Sequence, residues 1–198
     1  MLEVKDATIA LGERVLATGL SFIAHDGELT CITGAEGAGK TTLLRTLMGF
    51  LPVKQGFVSV DGELLTVHSA HAFRTLMAYL PQQMQLLGHQ LTPPEAPLVE
   101  ADDFGVWNPA LPKAPLVATA EELSPHDIFR LAEQTLAEAA GKQIIIADEP
   151  AARLTPELEQ QMLDLLRQQA AAGKTVLIAS RRPLLVNCAD QLITLTQS

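Results

Sequence analysis

The sequence predicts an α/β fold with a mostly parallel core sheet, and three observations carry that prediction. Two continuous apolar runs late in the chain, Gln143–Ala147 and Thr175–Ala179, have the character of strands buried on both faces. Each follows a stretch of good helix formers, Ser124–Ala140 and Pro156–Ala172, and strand–helix alternation of this kind builds a parallel sheet. A third strand-like run, Glu28–Thr33, leads directly into a glycine-rich loop and then into helical spacing of Leu43, Leu44, Leu47 and Met48.

The bulk numbers fit one domain over residues 1–198. A chain of 198 residues with 47% hydrophobic and 19% charged residues can bury a proper core, and with 4% aromatics that core must be aliphatic. The net charge of -9 repels phosphate backbones, so nucleic acid is not an expected partner. A local anion site needs no such balance, because backbone N–H groups can build it. Cys31 and Cys188 lie in or beside apolar stretches and read as buried thiols in a reducing compartment. No run of about eighteen apolar residues is present, and the first residues lack the apolar stretch of a signal peptide. The expected location is cytoplasmic, with any membrane attachment peripheral and made through a partner.

The elements follow in order. Leu2–Ala10 and Gly19–Ala24 read as strands, and Asp26-Gly27 as the turn before Glu28–Thr33. The helix after the glycine-rich loop ends at Gly49 and Pro52. Gly56–Val60 is a short strand closed by Asp61-Gly62, Ser69–Thr75 a brief helix, and Met77–Leu80 a strand stopped by Pro81. Between residues 91 and 115, Pro93, Pro94, Pro97, Pro109, Pro112 and Pro115 forbid a long helix, which leaves an irregular acidic insert with Glu95, Glu100, Asp102 and Asp103. Ser124-Pro125 reads as a helix cap followed by proline at the first helical position. Leu192–Thr196 closes the chain as a last strand.

Two segments carry the chemistry. Gly34-Ala35-Glu36-Gly37-Ala38-Gly39-Lys40-Thr41 fits the phosphate-loop pattern G-x-x-x-x-G-K-[ST], set between a strand and a helix as the pattern requires. Its glycines let the backbone aim N–H groups at phosphates, and the helix that starts near Lys40 and continues through Thr42 adds its positive end. Lys40 is expected to reach the β- and γ-phosphates of ATP, and Thr41 to hold Mg2+ through its hydroxyl. The second segment is Ile144-Ile145-Ile146-Ala147-Asp148-Glu149-Pro150, a strand that delivers two carboxylates at its C-terminal end, where ligands sit in open α/β sheets. Asp148 is expected on Mg2+ and Glu149 as the general base that polarises an attacking water. Together the two segments predict the P-loop NTPase fold.

The extra glycine at Gly37 and the glutamate immediately after Asp148 make the chain resemble the ATP-binding cassette of ABC transporters. Tyr79-Leu80-Pro81-Gln82 resembles that family's Q-loop, and Gly56–Gly62 the strand and turn before it. The resemblance spans residues 2–196. It implies an N-terminal antiparallel β subdomain, and it implies that Gln82 contacts Mg2+ and the lytic water and relays to a transmembrane permease subunit. An ordinary loop glutamine is the plainer alternative.

The departures are as informative. The family's Leu-Ser-Gly-Gly-Gln signature is matched by Leu123-Ser124-Pro125-His126-Asp127; Ser124 can still donate a hydrogen bond, both glycines are lost, and Asp127 tends to repel phosphate. The switch histidine is replaced by Arg181, which can grip a γ-phosphate; the alternative is that Arg181 and Arg182 are solvated surface charges. Thr155 stands where the D-loop has aspartate, and Leu11 where an aromatic stacks on adenine. The segment 83–122 is a shortened, proline-rich replacement of the helical subdomain. His68, His71 and His89 have no carboxylate or cysteine that completes a metal set and read as surface histidines.

These features predict an ATP-binding subunit of a transporter whose own half of the site is complete and whose trans-acting parts are degraded. A second cassette with an intact signature is therefore the expected partner, a heteromer rather than a homodimer. A nucleotide-binding regulator with little hydrolysis is the alternative, and a soluble ATPase outside transport a third.

Overall fold

The computed structural model describes residues 1–82 and 123–196. The expected irregular insert, His89 and the shortened helical subdomain fall outside the described residues. Two sheets form. The first is antiparallel, in the order β2 (Arg14–Ala24), β1 (Leu2–Leu11), β4 (Gln55–Val60), β5 (Glu63–Leu64). The second is parallel throughout, in the order β6 (Met77–Leu80), β7 (Ile144–Asp148), β8 (Thr175–Ala179), β3 (Leu29–Gly34), β9 (Gln191–Leu195). The antiparallel N-terminal subdomain and the parallel core thus both form as expected.

Side-chain alternation along the central strands decides which layer each residue holds. Ile144 and Ile146 of β7 face a core shared with α1 (Lys40–Leu47) and the antiparallel sheet, where Leu43, Leu44 and Leu47 meet Leu2, Val4 and Val58. Ile145 and Ala147 face the opposite core, against Ile128, Ala132 and Leu136 of α3 (Pro125–Glu138) and Met162, Leu163 and Leu166 of α4 (Pro156–Ala171). Every residue of β7 and β8 is buried, which explains why these strands read as continuous apolar runs.

Three expectations need correction. β2 begins at Arg14 rather than Gly19: its pairing with β1 shifts register opposite Ala7 and Ile9, so the chain passes Thr18 and Gly19 through a bulge and stays a strand. The strand closed by the turn Asp61-Gly62 forms as expected, and the two-residue β5 beyond the turn folds back on Ser59 and Val60. A short helix, α5 (Pro183–Asn187), follows β8, and β9 starts one residue early. The entry to β9 is tied by Asp190, whose Oδ2 accepts from the Leu29 amide at 2.8 Å. Cys31 is buried as expected, with burial pushing its thiol up to about 11, whereas Cys188 is half-buried. α2 (Ala70–Thr75) forms, and His68 before it and His71 within it are exposed.

The register places four strand ends along one edge. Leu80 pairs with Ala147, Asp148 with Ala179, and Ala179 with Ile32. Gln82, Asp148-Glu149, Arg181 and the loop after Gly34 therefore emerge side by side from β6, β7, β8 and β3.

Candidate functional site

The phosphate loop runs from the end of β3 to the start of α1 and is shaped by close approach. Gly39 has φ +97°, and a Cβ there would lie 3.0 Å from Leu16 side-chain atoms. At Gly34 a Cβ would lie 2.6 Å from the Leu195 carbonyl oxygen, so β9 packs against the loop's first residue. The Ala38 amide donates to the Ala35 carbonyl at 3.2 Å, closing the turn through Glu36 and Gly37. Lys40 is only 8% exposed, and its Nζ donates to the carbonyls of Gly34 at 3.0 Å and Ala35 at 3.1 Å. The ammonium is thus held inside the loop. Thr42, further along, gives its carbonyl to the Thr46 hydroxyl at 2.9 Å.

Asp148 ends β7 directly behind that loop. It is 1% exposed, and its Oδ1 has no hydrogen-bond partner among the described residues. Burial raises its carboxyl above the usual carboxylate range; a hydrogen bond from the Thr41 side chain and the charges of Arg45 and Lys40 pull the other way, and the neighbouring Glu149 adds to the rise. Tyr79 on the adjacent strand is pushed up to about 12, mainly by burial and then by Asp148. A buried carboxylate oxygen without a donor, beside a threonine hydroxyl, is an oxygen-donor pair that fits a hard divalent cation.

Glu149 sits at φ +47°, a conformation that costs a non-glycine residue about 1–3 kcal/mol and clusters at functional sites. Its amide donates to the Ala179 carbonyl at 2.8 Å, and its side chain lies beside the segment between β8 and α5. There its carboxylate accepts from the Arg181 amide at 3.3 Å and lies 3.5 Å from Arg181 Nε. Arg181 also reaches the phosphate loop, with Nη1 3.2 Å from Glu36 Oε2. Glu149, Arg181, Arg182, Gln82 and Ala152 line one cleft of about 290 Å³. Gln82 stands exposed at its rim.

Neither arginine is merely a solvated charge. Arg182 donates to the Ala152 carbonyl at 2.8 Å and lies 3.7 Å from the buried Glu159, which holds the segment after Glu149 against β8 and α4. The pairings of Glu36 and Glu159 have no signature in the sequence, since each partner comes from a distant segment. Thr155 caps α4 by accepting from the Leu158 amide at 3.4 Å, the task an aspartate can also perform.

Ser124 lies elsewhere in its chemistry. Its hydroxyl donates to Asp127 Oδ2 at 2.5 Å and accepts from the Asp127 amide at 3.2 Å, while the Ser124 amide donates to Asp127 Oδ2 at 3.2 Å. This is a complete capping box on α3. The one hydroxyl proton expected to serve as a donor outward is committed to the chain's own helix. Hydrogen bonds from Ser124 hold Asp127 below the usual carboxylate range, so it stands charged at this helix start.

The chain as a whole is similar to known proteins. The family profile for ABC transporters matches residues 17–152. The ABC transporter ATP-binding/permease protein Rv1747 of Mycobacterium tuberculosis is 30% identical over 98% of this chain and 24% of its own length. The Nod factor export ATP-binding protein I of Burkholderia lata is 32% identical over 90% of the chain and 62% of its own length, so the chain spans only part of both relatives. The hemin import ATP-binding protein HmuV of Methylobacillus flagellatus is 28% identical over 90% of the chain and 73% of its own length. Among solved structures, a nucleotide-free ATP-binding cassette from an ABC transporter superposes with TM-score 0.72 at 23% identity, covering 98% of this chain and 87% of that one. A dimeric cassette bound to ADP and phosphate gives 0.70 at 17%, covering 99% and 94%. With a profile match over more than half of its length, the chain belongs to the ATP-binding cassette family of ABC transporters.

Proposed function

We propose that this chain is the ATP-binding subunit of an ABC transporter, which couples MgATP binding and slow hydrolysis to a transmembrane permease. The observation that carries the proposal is the unpartnered Oδ1 of Asp148, buried beside Thr41 and Lys40 at the end of β7. In this reading the backbone N–H groups of Ala35, Glu36, Gly37, Ala38 and Gly39, with those of Lys40, Thr41 and Thr42, receive the phosphates. Lys40 exchanges the carbonyls of Gly34 and Ala35 for β- and γ-phosphate oxygens. Asp148, Thr41 and Gln82 hold Mg2+, which when bound neutralises charge on those oxygens. Glu149 takes the proton of the attacking water, and Gln82 positions that water and faces the permease. Arg181 contacts the terminal phosphate.

The trans half of the site comes from a second cassette. The Ser124 capping box supports this, because it uses the hydroxyl that would otherwise serve the neighbouring subunit's nucleotide. A heteromer with a partner of intact signature then works through the site on this chain's loop. The subunit sits peripherally on the cytoplasmic face of a membrane, by way of the permease; no helix among the described residues is long and apolar enough to cross one. The same capping box favours, as second reading, an ATP-binding regulator with little turnover, in which Glu149→Gln leaves function intact.

Calorimetric titration of ATP tests the binding claim. The wild type is expected to bind ATP in Mg2+ and far less in EDTA. Lys40→Ala, which removes charged hydrogen bonds worth about 1.5–3 kcal/mol, is expected to weaken binding roughly 10- to 150-fold. Equal affinity in wild type and variant would refute it.

A further inference from the structure

The ion pair between Glu36 and Arg181 joins the phosphate loop to the strand end after β8, and it has no role in the reading above. Glu36 occupies the third position of the loop whose backbone N–H groups receive phosphate, so it places a fixed negative charge at the mouth of an anion site. Its carboxylate meets Arg181 Nη1 at 3.2 Å, while Nε of the same guanidinium stands 3.5 Å from Glu149. Arg181 is 52% exposed on the open side of the cleft, so its outer nitrogens are within reach of an incoming anion. With Nε beside Glu149 and Nη1 on Glu36, a phosphate that grips Arg181 bidentately through Nη1 has to displace the Glu36 carboxylate from that nitrogen.

We propose that Glu36 is a specificity-determining residue, an internal anion that competes with the terminal phosphate of a nucleoside triphosphate for Arg181 and so narrows the preference for triphosphate over diphosphate. The proposal rests on the reading of Gly34–Thr41 as the triphosphate site. A diphosphate has no group at the position Arg181 serves, so the Glu36–Arg181 pair survives its binding. A triphosphate has to displace Glu36 from the guanidinium. Glu36 also repels every phosphate through its charge alone, but that effect acts on both nucleotides and does not need Arg181.

A double-mutant cycle separates the two effects. MgATP and MgADP are titrated calorimetrically into wild type, Glu36→Gln, Arg181→Ala and the double variant, with thermal melts to confirm folding. An exposed ion pair is worth up to about fivefold in an equilibrium constant, so Glu36→Gln is expected to tighten MgATP about two- to fivefold more than MgADP. In the Arg181→Ala background the same change is expected to shift both nucleotides by one common factor. Equal tightening of both nucleotides in the wild-type background would overturn the proposal. So would weakened MgATP binding, or a triphosphate excess that persists without Arg181. Should Arg181→Ala fail to fold, Arg181→Lys takes its place: a lysine keeps the charge but not the fork, and the triphosphate excess is expected to shrink by at least half; an undiminished excess overturns the proposal. A folded wild type that binds neither nucleotide refutes the phosphate-site reading itself, a different result from nucleotides that bind without the predicted difference.

Discussion

Replacing Asp148 by asparagine should stabilise the protein while it removes a proposed Mg2+ ligand. The carboxylate is almost wholly buried, and Oδ1 has no donor among the described residues. An unsatisfied buried polar group costs about 1–3 kcal/mol, and more when charged. The asparagine keeps one oxygen for the Thr41 hydroxyl and puts a neutral amide where the charged oxygen stood. The amide also lacks a partner, so the net gain falls near the low end, about 1 kcal/mol. For a chain of this size that corresponds to roughly 2–4 °C in Tm. The sign with pH follows from the raised carboxyl. A group whose folded value lies above its ordinary 3.8 adds stability below that value and loses it as pH rises through the folded value. The advantage of Asp148→Asn should therefore be absent near pH 3.8 and grow toward neutral pH. Thermal melts in EDTA without nucleotide, from acid to neutral pH, measure it. A destabilised variant at neutral pH, or an advantage that shrinks as pH rises, would refute this reasoning. In Mg2+ and ATP the order should reverse, because only the wild type gains from the ligand.

Gly39→Ala forces a Cβ to within 3.0 Å of Leu16 at φ +97° and should cost about 1–3 kcal/mol of stability together with ATP affinity; an unchanged melt and unchanged titration would contradict the loop geometry. Ser124→Ala removes the capping box of α3 and should cost about 1 kcal/mol in urea unfolding, yet leave MgATP binding by the isolated chain unchanged. A variant of normal stability with altered ATP affinity would place Ser124 at the chain's own nucleotide.

How much is readable from sequence depends on how local each feature is. The phosphate loop and the Asp148-Glu149 strand end are contiguous, and their spacing encodes their geometry. The parallel strands announce themselves because burial on both faces leaves no polar alternation. β2 reads as starting only at Gly19 because a bulge breaks the alternation that marks a strand, and α5, five residues long, is too short to show a period. The sequence leaves the arginines after β8 between a phosphate contact at Arg181 and solvated surface charges, since Glu36 and Glu159 reach them only once the sheet is assembled. Ser124 is the instructive case. Its role as helix cap is legible in Ser124-Pro125, and the spacing to Asp127 encodes the reciprocal bond that takes its hydroxyl out of play.

The central claim is that this chain supplies a complete half-site and a defective trans half. Steady-state ATP turnover tests it directly, measured on the purified chain alone and after mixing with a cassette of intact signature whose own phosphate-loop lysine has been removed. Turnover near background is predicted for the chain alone, with a rise in the mixture that is lost with Glu149→Gln in this chain. Fast turnover by the chain alone, unchanged by the partner, would contradict it.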